Sequence, residues 1–122
     1  MKLNRSNAAG FTLVEIMIVV SIIGLLVVIA IPNFFKNREI AQRNTCVSNL
    51  RVIDTAKQLW GMEAGKASDD EPIEEDLVGF GLYLKRMPIC PGGGTYDFWS
   101  IGELPTCDFS AGSVVHELVP ED

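Results

Sequence analysis

The chain has 122 residues, ten Lys plus Arg against sixteen Asp plus Glu, and a formal net charge of −6. That length suits one domain and excludes a multidomain enzyme, and an acidic chain of this size has no electrostatic footprint for a phosphate backbone, so nucleic acid is not an expected partner. Hydrophobic residues make up 48% of the sequence, but they are unevenly spread, and the unevenness sets the class.

Residues 1–10, MKLNRSNAAG, carry Lys2 and Arg5 and no acid. From Phe11 to Ile31 only Thr12, Glu15, Ser21 and Gly24 interrupt an apolar run. As a helix it would extend about 32 Å at 1.5 Å per residue, enough to cross a hydrocarbon core of about 30 Å. The basic residues ahead of it place Met1 in the cytoplasm and everything after Ile31 across the membrane. A cleaved secretory signal is the competing reading. However, the run exceeds the usual core of about 7 to 15 residues, and Ile29-Ala30-Ile31-Pro32-Asn33-Phe34 offers no correctly spaced pair of small residues.

Two residues in or beside the span stand out. A lone carboxylate such as Glu15 costs about 2.5 to 3.5 kcal/mol in a membrane helix, so it calls for a partner or a route to water. Snorkelling from one turn below the surface is the plain alternative to an assembly role. Pro32 cannot donate to the preceding turn and crowds it. It marks either a deformable stretch or simply the exit from the membrane.

Beyond Pro32 a helical period persists in Ile40, Val47, Leu50, Ile53 and Trp60. One helix from Phe11 to about Gly61 is the expectation, with Cys46, Leu50, Ile53 and Trp60 on a stripe facing a head, and with Gly61 and Gly65 as stop signals. Ser68 to Asp76 holds six acids in nine positions and reads as a solvated loop. It lacks the spacing and the glycine of an EF-hand calcium loop. Leu77 to Leu84 reads as one or two helical turns. Then a glycine turn at Gly92 to Gly94 leads into a hairpin with strands Thr95 to Ile101 and Thr106 to Phe109, turning at Gly102-Glu103. Tyr96 and Phe98 share one face and Trp99 takes the other, and Trp60, Phe98 and Trp99 are expected as core. The fold class is therefore α+β: a long N-terminal helix, half membrane-spanning and half amphipathic, packed on a small antiparallel sheet.

Catalytic chemistry is not expected. His116 stands alone, so no histidine cluster for zinc and no triad can be drawn, and a packing or surface role is the reading. Gly92 to Gly94 lacks the Lys-Ser or Lys-Thr pair of a phosphate loop. No cofactor or metal is expected, with calcium on the carboxylates of Ser68 to Asp76 as the alternative. Three cysteines in an oxidising compartment suggest one pair and a spare thiol. Cys90 and Cys107 flank the hairpin, where a bond would contribute roughly 3 kcal/mol by chain entropy. Cys46, on the helix stripe, is either a buried free thiol or a partner for one of the others.

The segment GFTLVEIMIVVSIIGLLVVIAIPNF closely resembles the N-terminus of type IV pilins and pseudopilins, with Gly10, Phe11, a Thr-Leu pair, Glu15 and Pro32 in one frame. The resemblance implies cleavage between Gly10 and Phe11 by a prepilin peptidase and N-methylation of Phe11. Residues 1–10 would be the leader, 11–32 the transmembrane and assembly helix, and 33–122 the extracytoplasmic head with the second half of the long helix. It further implies that Glu15 pairs with the N-terminal amine of a neighbouring subunit and that Gly24 and Pro32 lie where the helix deforms. Pro88-Ile89-Cys90-Pro91-Gly92-Gly93-Gly94-Thr95-Tyr96 and Pro105-Thr106-Cys107 resemble a subset of pseudopilin-like proteins labelled type II secretion protein G. Major pseudopilins often hold calcium near the C-terminus, and such ligands do not map onto residues 103–122.

The expected function is a non-enzymatic subunit of a type II secretion pseudopilus in the bacterial inner membrane, single-pass with a cytoplasmic N-terminus. Other pilin-like subunits, the peptidase and an inner-membrane assembly platform are its implied partners. The alternatives are a type IV pilus subunit and a non-polymerising, membrane-anchored binding domain. A plain anchor has no reason to carry Glu15.

Overall fold

The computed structural model describes residues 10–111 and 114–120; apart from Gly10, the expected leader lies outside the described residues. Helix α1 spans Leu13–Ala64. It starts at Thr12, whose Oγ1 accepts the backbone N–H of Glu15 at 3.2 Å, the bond that an N-cap threonine makes to the third helical residue. It stops at Gly65, which adopts φ +64° while Lys66 N–H donates to the Gly61 carbonyl at 2.9 Å. A left-handed residue with that six-to-one bond is a Schellman end. Gly65 alone is thus the stop. Gly61, expected to share that role, is buried inside the helix, where a Cβ would fall 2.8 Å from Ile101 Cδ1.

The chain divides into two units, one reaching Lys36 and the other beginning at Asn37. In the first, the large apolar side chains from Phe11 to Phe35 are exposed. Ser21 satisfies its hydroxyl by donating to the Met17 carbonyl at 2.7 Å. Helix α1 continues unbroken through Pro32, so the proline, read as a point of kinking or local opening, does not interrupt the helix. Its missing N–H leaves the Val28 carbonyl without the usual helical donor.

In the second unit Cys46, Leu50, Ile53 and Ala56 of α1 form a core with Leu77, Leu84, Cys90, Tyr96 and Leu118. Three of the four residues of the expected stripe are fully buried, and Trp60 packs half-buried at the edge. The end of the acidic stretch, expected as loop throughout, is instead a short helix α2, Glu74–Leu77. This stretch is less free than its charge suggests: Pro72 is fully buried. The Ser68 and Asp70 carbonyls accept from Gly102 N–H at 2.7 Å and Ile101 N–H at 3.0 Å. Charge pattern reports on side chains, and here the backbone makes the attachment. The expected helical turns over Leu77 to Leu84 are instead a loop closed by a Val78 to Leu84 bridge. Gly81, at φ +78°, takes the chain into a left-handed conformation that an α-helix does not admit.

Strand β1, Tyr96–Asp97, pairs antiparallel with β2, Thr106–Cys107, in the register Tyr96 to Cys107 and Asp97 to Thr106. Strand β3, Ser110–Ala111, pairs with β4, Val114–Val115. The hairpin is where the sequence places it, but β1 and β2 are far shorter than expected. Trp99 leaves the extended region at φ 54°. Helix side chains then take the carbonyls that a longer ladder would use. Lys57 Nζ donates to Phe98 O at 2.5 Å and Glu103 O at 2.6 Å, and Gln58 Nε2 donates to Ile101 O at 2.9 Å. Tyr96 is buried and Phe98 packs on the core, whereas Trp99 is 45% exposed. Trp99 is therefore not a core residue; its Nε1–H bonds Thr106 Oγ1 at 2.8 Å.

Candidate functional site

Two constellations stand out, one at the start of α1 and one in the second unit. At the first, Gly10 and Phe11 are exposed ahead of α1. A Cβ on Gly10 would meet nothing within 4 Å, so the fold itself does not require glycine there. Glu15 sits in the first turn, where the unpaired N–H groups and the helix dipole favour negative charge. No donor to its carboxylate is found among the described residues. Helix α1 is long and apolar enough to cross a membrane. Thr12, which fixes the start of this helix, escaped the sequence reading. Its signal was the Thr-x-x-Glu spacing of a capping box.

At the second, Cys46 from α1, Cys90 from the loop before β1, Cys107 from β2 and His116 just after β4 converge, with their ligand atoms all within 4.8 Å of one another. Cys46, Cys90 and His116 are buried and Cys107 is half-buried, and all three cysteines carry free thiols. Cys90 Sγ lies 3.4 Å from His116 Nδ1. The sequence left the pairing open between Cys90 with Cys107 and Cys46 with either; the structure gathers all three and singles out no pair. Of the two roles expected of His116, packing or surface, the structure takes packing. It is 2% exposed, and its ring lies against Phe109 with centroids 4.4 Å apart.

Burial pushes the Cys46 thiol up to about 12, with only partial relief from the Tyr96 hydroxyl that donates to it. Tyr96 is itself held by Asn49 Nδ2, at 3.1 Å from its hydroxyl. Burial also opposes ionisation of Cys90. There the backbone N–H groups of Gly94 and Gly92, with the neighbouring thiols of Cys46 and Cys107, prevail and hold it below the ordinary thiol range. Cys107 is raised by burial despite the Phe109 N–H directed at it. Burial, and then the charge of Arg43, lower the His116 pKa. The glycine run permits this approach: a Cβ on Gly94 would lie 2.6 Å from Cys107 Sγ, and one on Gly92 would lie 2.8 Å from the Phe109 ring.

Residues 5–31 match the prokaryotic N-terminal methylation motif. Over 123 residues the chain is 30% identical to the type II secretion system core protein G of Klebsiella michiganensis, covering 90% of this chain and 87% of that one. The chain belongs to the type II secretion core protein G family, the pseudopilins. Competence protein ComGC of Halalkalibacterium halodurans is also similar, at 42% identity over 76% of this chain and 86% of its own. The type IV major pilin protein PilA of Myxococcus xanthus is 42% identical over 57% of this chain and 32% of its own. No solved structure matches. Pseudopilins and pilins are structural proteins, and the fold here, a long helix and small antiparallel sheets, is of their α+β kind.

Proposed function

We propose that this pseudopilin is a subunit of a type II secretion pseudopilus, held in the inner membrane by residues 11–32 and polymerising through α1 to move proteins outward. The likeness to core protein G along nearly the whole chain carries the reading. The uncovered apolar helix supports it, since so much exposed apolar surface needs lipid or other copies of the same helix around it. In this role the bond between Gly10 and Phe11 is cut by a prepilin peptidase on the cytoplasmic side and the new amine of Phe11 is methylated. Glu15 then meets the amine of a neighbouring subunit. Each charge neutralises the other in a medium where either alone is costly, and the pair sets the stagger between subunits.

Mass spectrometry of the protein from its native host is expected to show a chain beginning at N-methylated Phe11, and Gly10→Arg is expected to leave the leader attached. Glu15→Ala makes the helix more apolar, so insertion should persist while filament formation and secretion fall. Wild-type assembly by that variant would instead assign Glu15 to snorkelling. The likeness to a competence protein over most of its length favours a pilus as the second reading. A deletion strain that keeps protein secretion but loses DNA uptake would select it.

A further inference from the structure

We propose that Cys46, Cys90, Cys107 and His116 form a closed, four-ligand site for one structural zinc ion that joins α1 to the loop, the hairpin and the C-terminal segment of the head. Structural zinc is bound tetrahedrally by sulfur and imidazole ligands, with Zn–S near 2.3 Å and Zn–N near 2.0 to 2.1 Å. Those bond lengths put ligand atoms roughly 3.5 to 3.8 Å from one another. Cys90 Sγ and His116 Nδ1 are at 3.4 Å, and no pair of ligand atoms is farther apart than 4.8 Å. The remaining contraction is about 1 Å at most, within reach of side-chain rotation.

What surrounds the sulfurs is as informative as their spacing. A buried free cysteine that acts as a small hydrophobe has no need of hydrogen-bond donors. Here the backbone comes close, since a Cβ on Gly94 would lie 2.6 Å from Cys107 Sγ, and polar hydrogens act electrostatically on each sulfur: Tyr96 Oη–H on Cys46, the N–H groups of Gly92 and Gly94 on Cys90, and that of Phe109 on Cys107. Amides two residues beyond a cysteine stabilise a metal-bound thiolate and orient it, as outer-shell donors do at metal sites generally. With Nδ1 facing the sulfurs, Nε2 carries the ring proton when the ion is bound. Three thiolates and a divalent ion leave one negative charge, and Arg43, which acts electrostatically on His116 and bonds the Val115 carbonyl at 3.1 Å, places a cation beside it.

The donor set selects the ion. Calcium and magnesium take oxygen ligands and are poorly served by three sulfurs; thiolate and imidazole in a closed tetrahedron suit zinc. A disulfide would use two sulfurs and strand the third together with the imidazole. Binding releases one proton from each thiol, three per ion, and no electron changes hands. The gain for the protein is large because, among the described residues, four two-residue strands and a core of nine residues give a small head little intrinsic stability, and metal binding energy becomes folding energy.

The test uses the full chain, extracted from membranes in detergent without reductant or chelator. Elemental analysis should find about one zinc per chain. Exchange with cobalt should give the intense visible bands of a tetrahedral ion and near-ultraviolet thiolate-to-cobalt charge transfer. Tyr96→Phe keeps the ring in the core, removes the hydroxyl beside Cys46 and leaves Asn49 Nδ2 its bond to the Ile89 carbonyl, and should weaken metal affinity about 10- to 100-fold. His116→Cys should keep one ion with the cobalt spectrum of four thiolates. The proposal is overturned by a metal-free chain whose non-reducing peptide map links two of the three cysteines, or by cobalt that binds without thiolate charge transfer.

Discussion

Gly10 and Gly94 are the same residue under opposite constraints. A methyl group on Gly94 would lie 2.6 Å from Cys107 Sγ and 2.7 Å from Phe109 Cβ, so Gly94→Ala should lower head stability by about 1 to 3 kcal/mol through overpacking. At Gly10 there is open space, and Gly10→Arg should leave the unfolding midpoint of the head unchanged. Denaturant melts of the two variants compare them directly. Lys57 is a different case, fully buried with its ammonium on the Phe98 and Glu103 carbonyls. Burial lowers its pKa from the ordinary 10.5, against the opposing charges of Asp54, Glu103 and Glu71. The unfolded chain then binds this proton more tightly than the folded one. Stability linked to Lys57 is complete above pH 10.5 and is lost as pH falls towards the folded value. Lys57→Met leaves two carbonyls without their donor, at about 1 to 3 kcal/mol each. Its deficit against wild type should widen as pH rises from neutrality to about 10.5, and denaturation at several pH values reads it. Neither Lys57 nor His116 could be found from the sequence, since each owes its burial to partners far along the chain. Lys57 lies 41 and 46 residues from the carbonyls it serves, and Cys90 lies 26 residues from His116. Gly10, Phe11 and Glu15 could be picked out as candidates because they lie in one local, contiguous motif, residues 5–31.

Elements were legible in proportion to their length. Helix α1 carries both an apolar run and a sustained helical period, and its end is marked by Gly65, so the sequence locates it to within a few residues. The hairpin was legible as a pairing but not as a length: strand propensity cannot register that Lys57 and Gln58 occupy the carbonyls beyond Asp97. For the same reason the acidic stretch looked unattached, although Gly102 and Ile101 bond its backbone. Pro32 allows a test at this scale. A proline inside a helix costs about 3 kcal/mol, and Pro32→Ala restores a donor to the Val28 carbonyl. Circular dichroism should show equal or slightly greater helix content in the purified subunit. If the deformability of this stretch serves packing in the filament, assembly should fall even so; a variant that assembles like wild type would reduce Pro32 to a mark at the membrane exit.

At the scale of the whole molecule, the head is built from distant pieces of chain. Arg43 on α1 bonds Val115, 72 residues later, and Leu118 belongs to the same core as Cys46 and Leu50. A chain shortened to end at Ala111 loses His116 and Leu118 together. It should retain the far-ultraviolet signal of α1 while losing the near-ultraviolet signal and the cooperative melt of a packed head. Such non-local contacts make folding slow relative to helix formation, because loop closure precedes the reward of contact. Synthesis runs from the N-terminus, so α1 is made early and the core can close only after Leu118 has left the ribosome. A prematurely terminated product therefore carries an assembly helix of normal sequence beneath a head with exposed apolar surface and three unprotected thiols. Proteases that recognise unfolded chains should cut such a product faster than a chain that has closed its core, so the head's resistance to proteolysis hangs on the segment that carries His116 and Leu118.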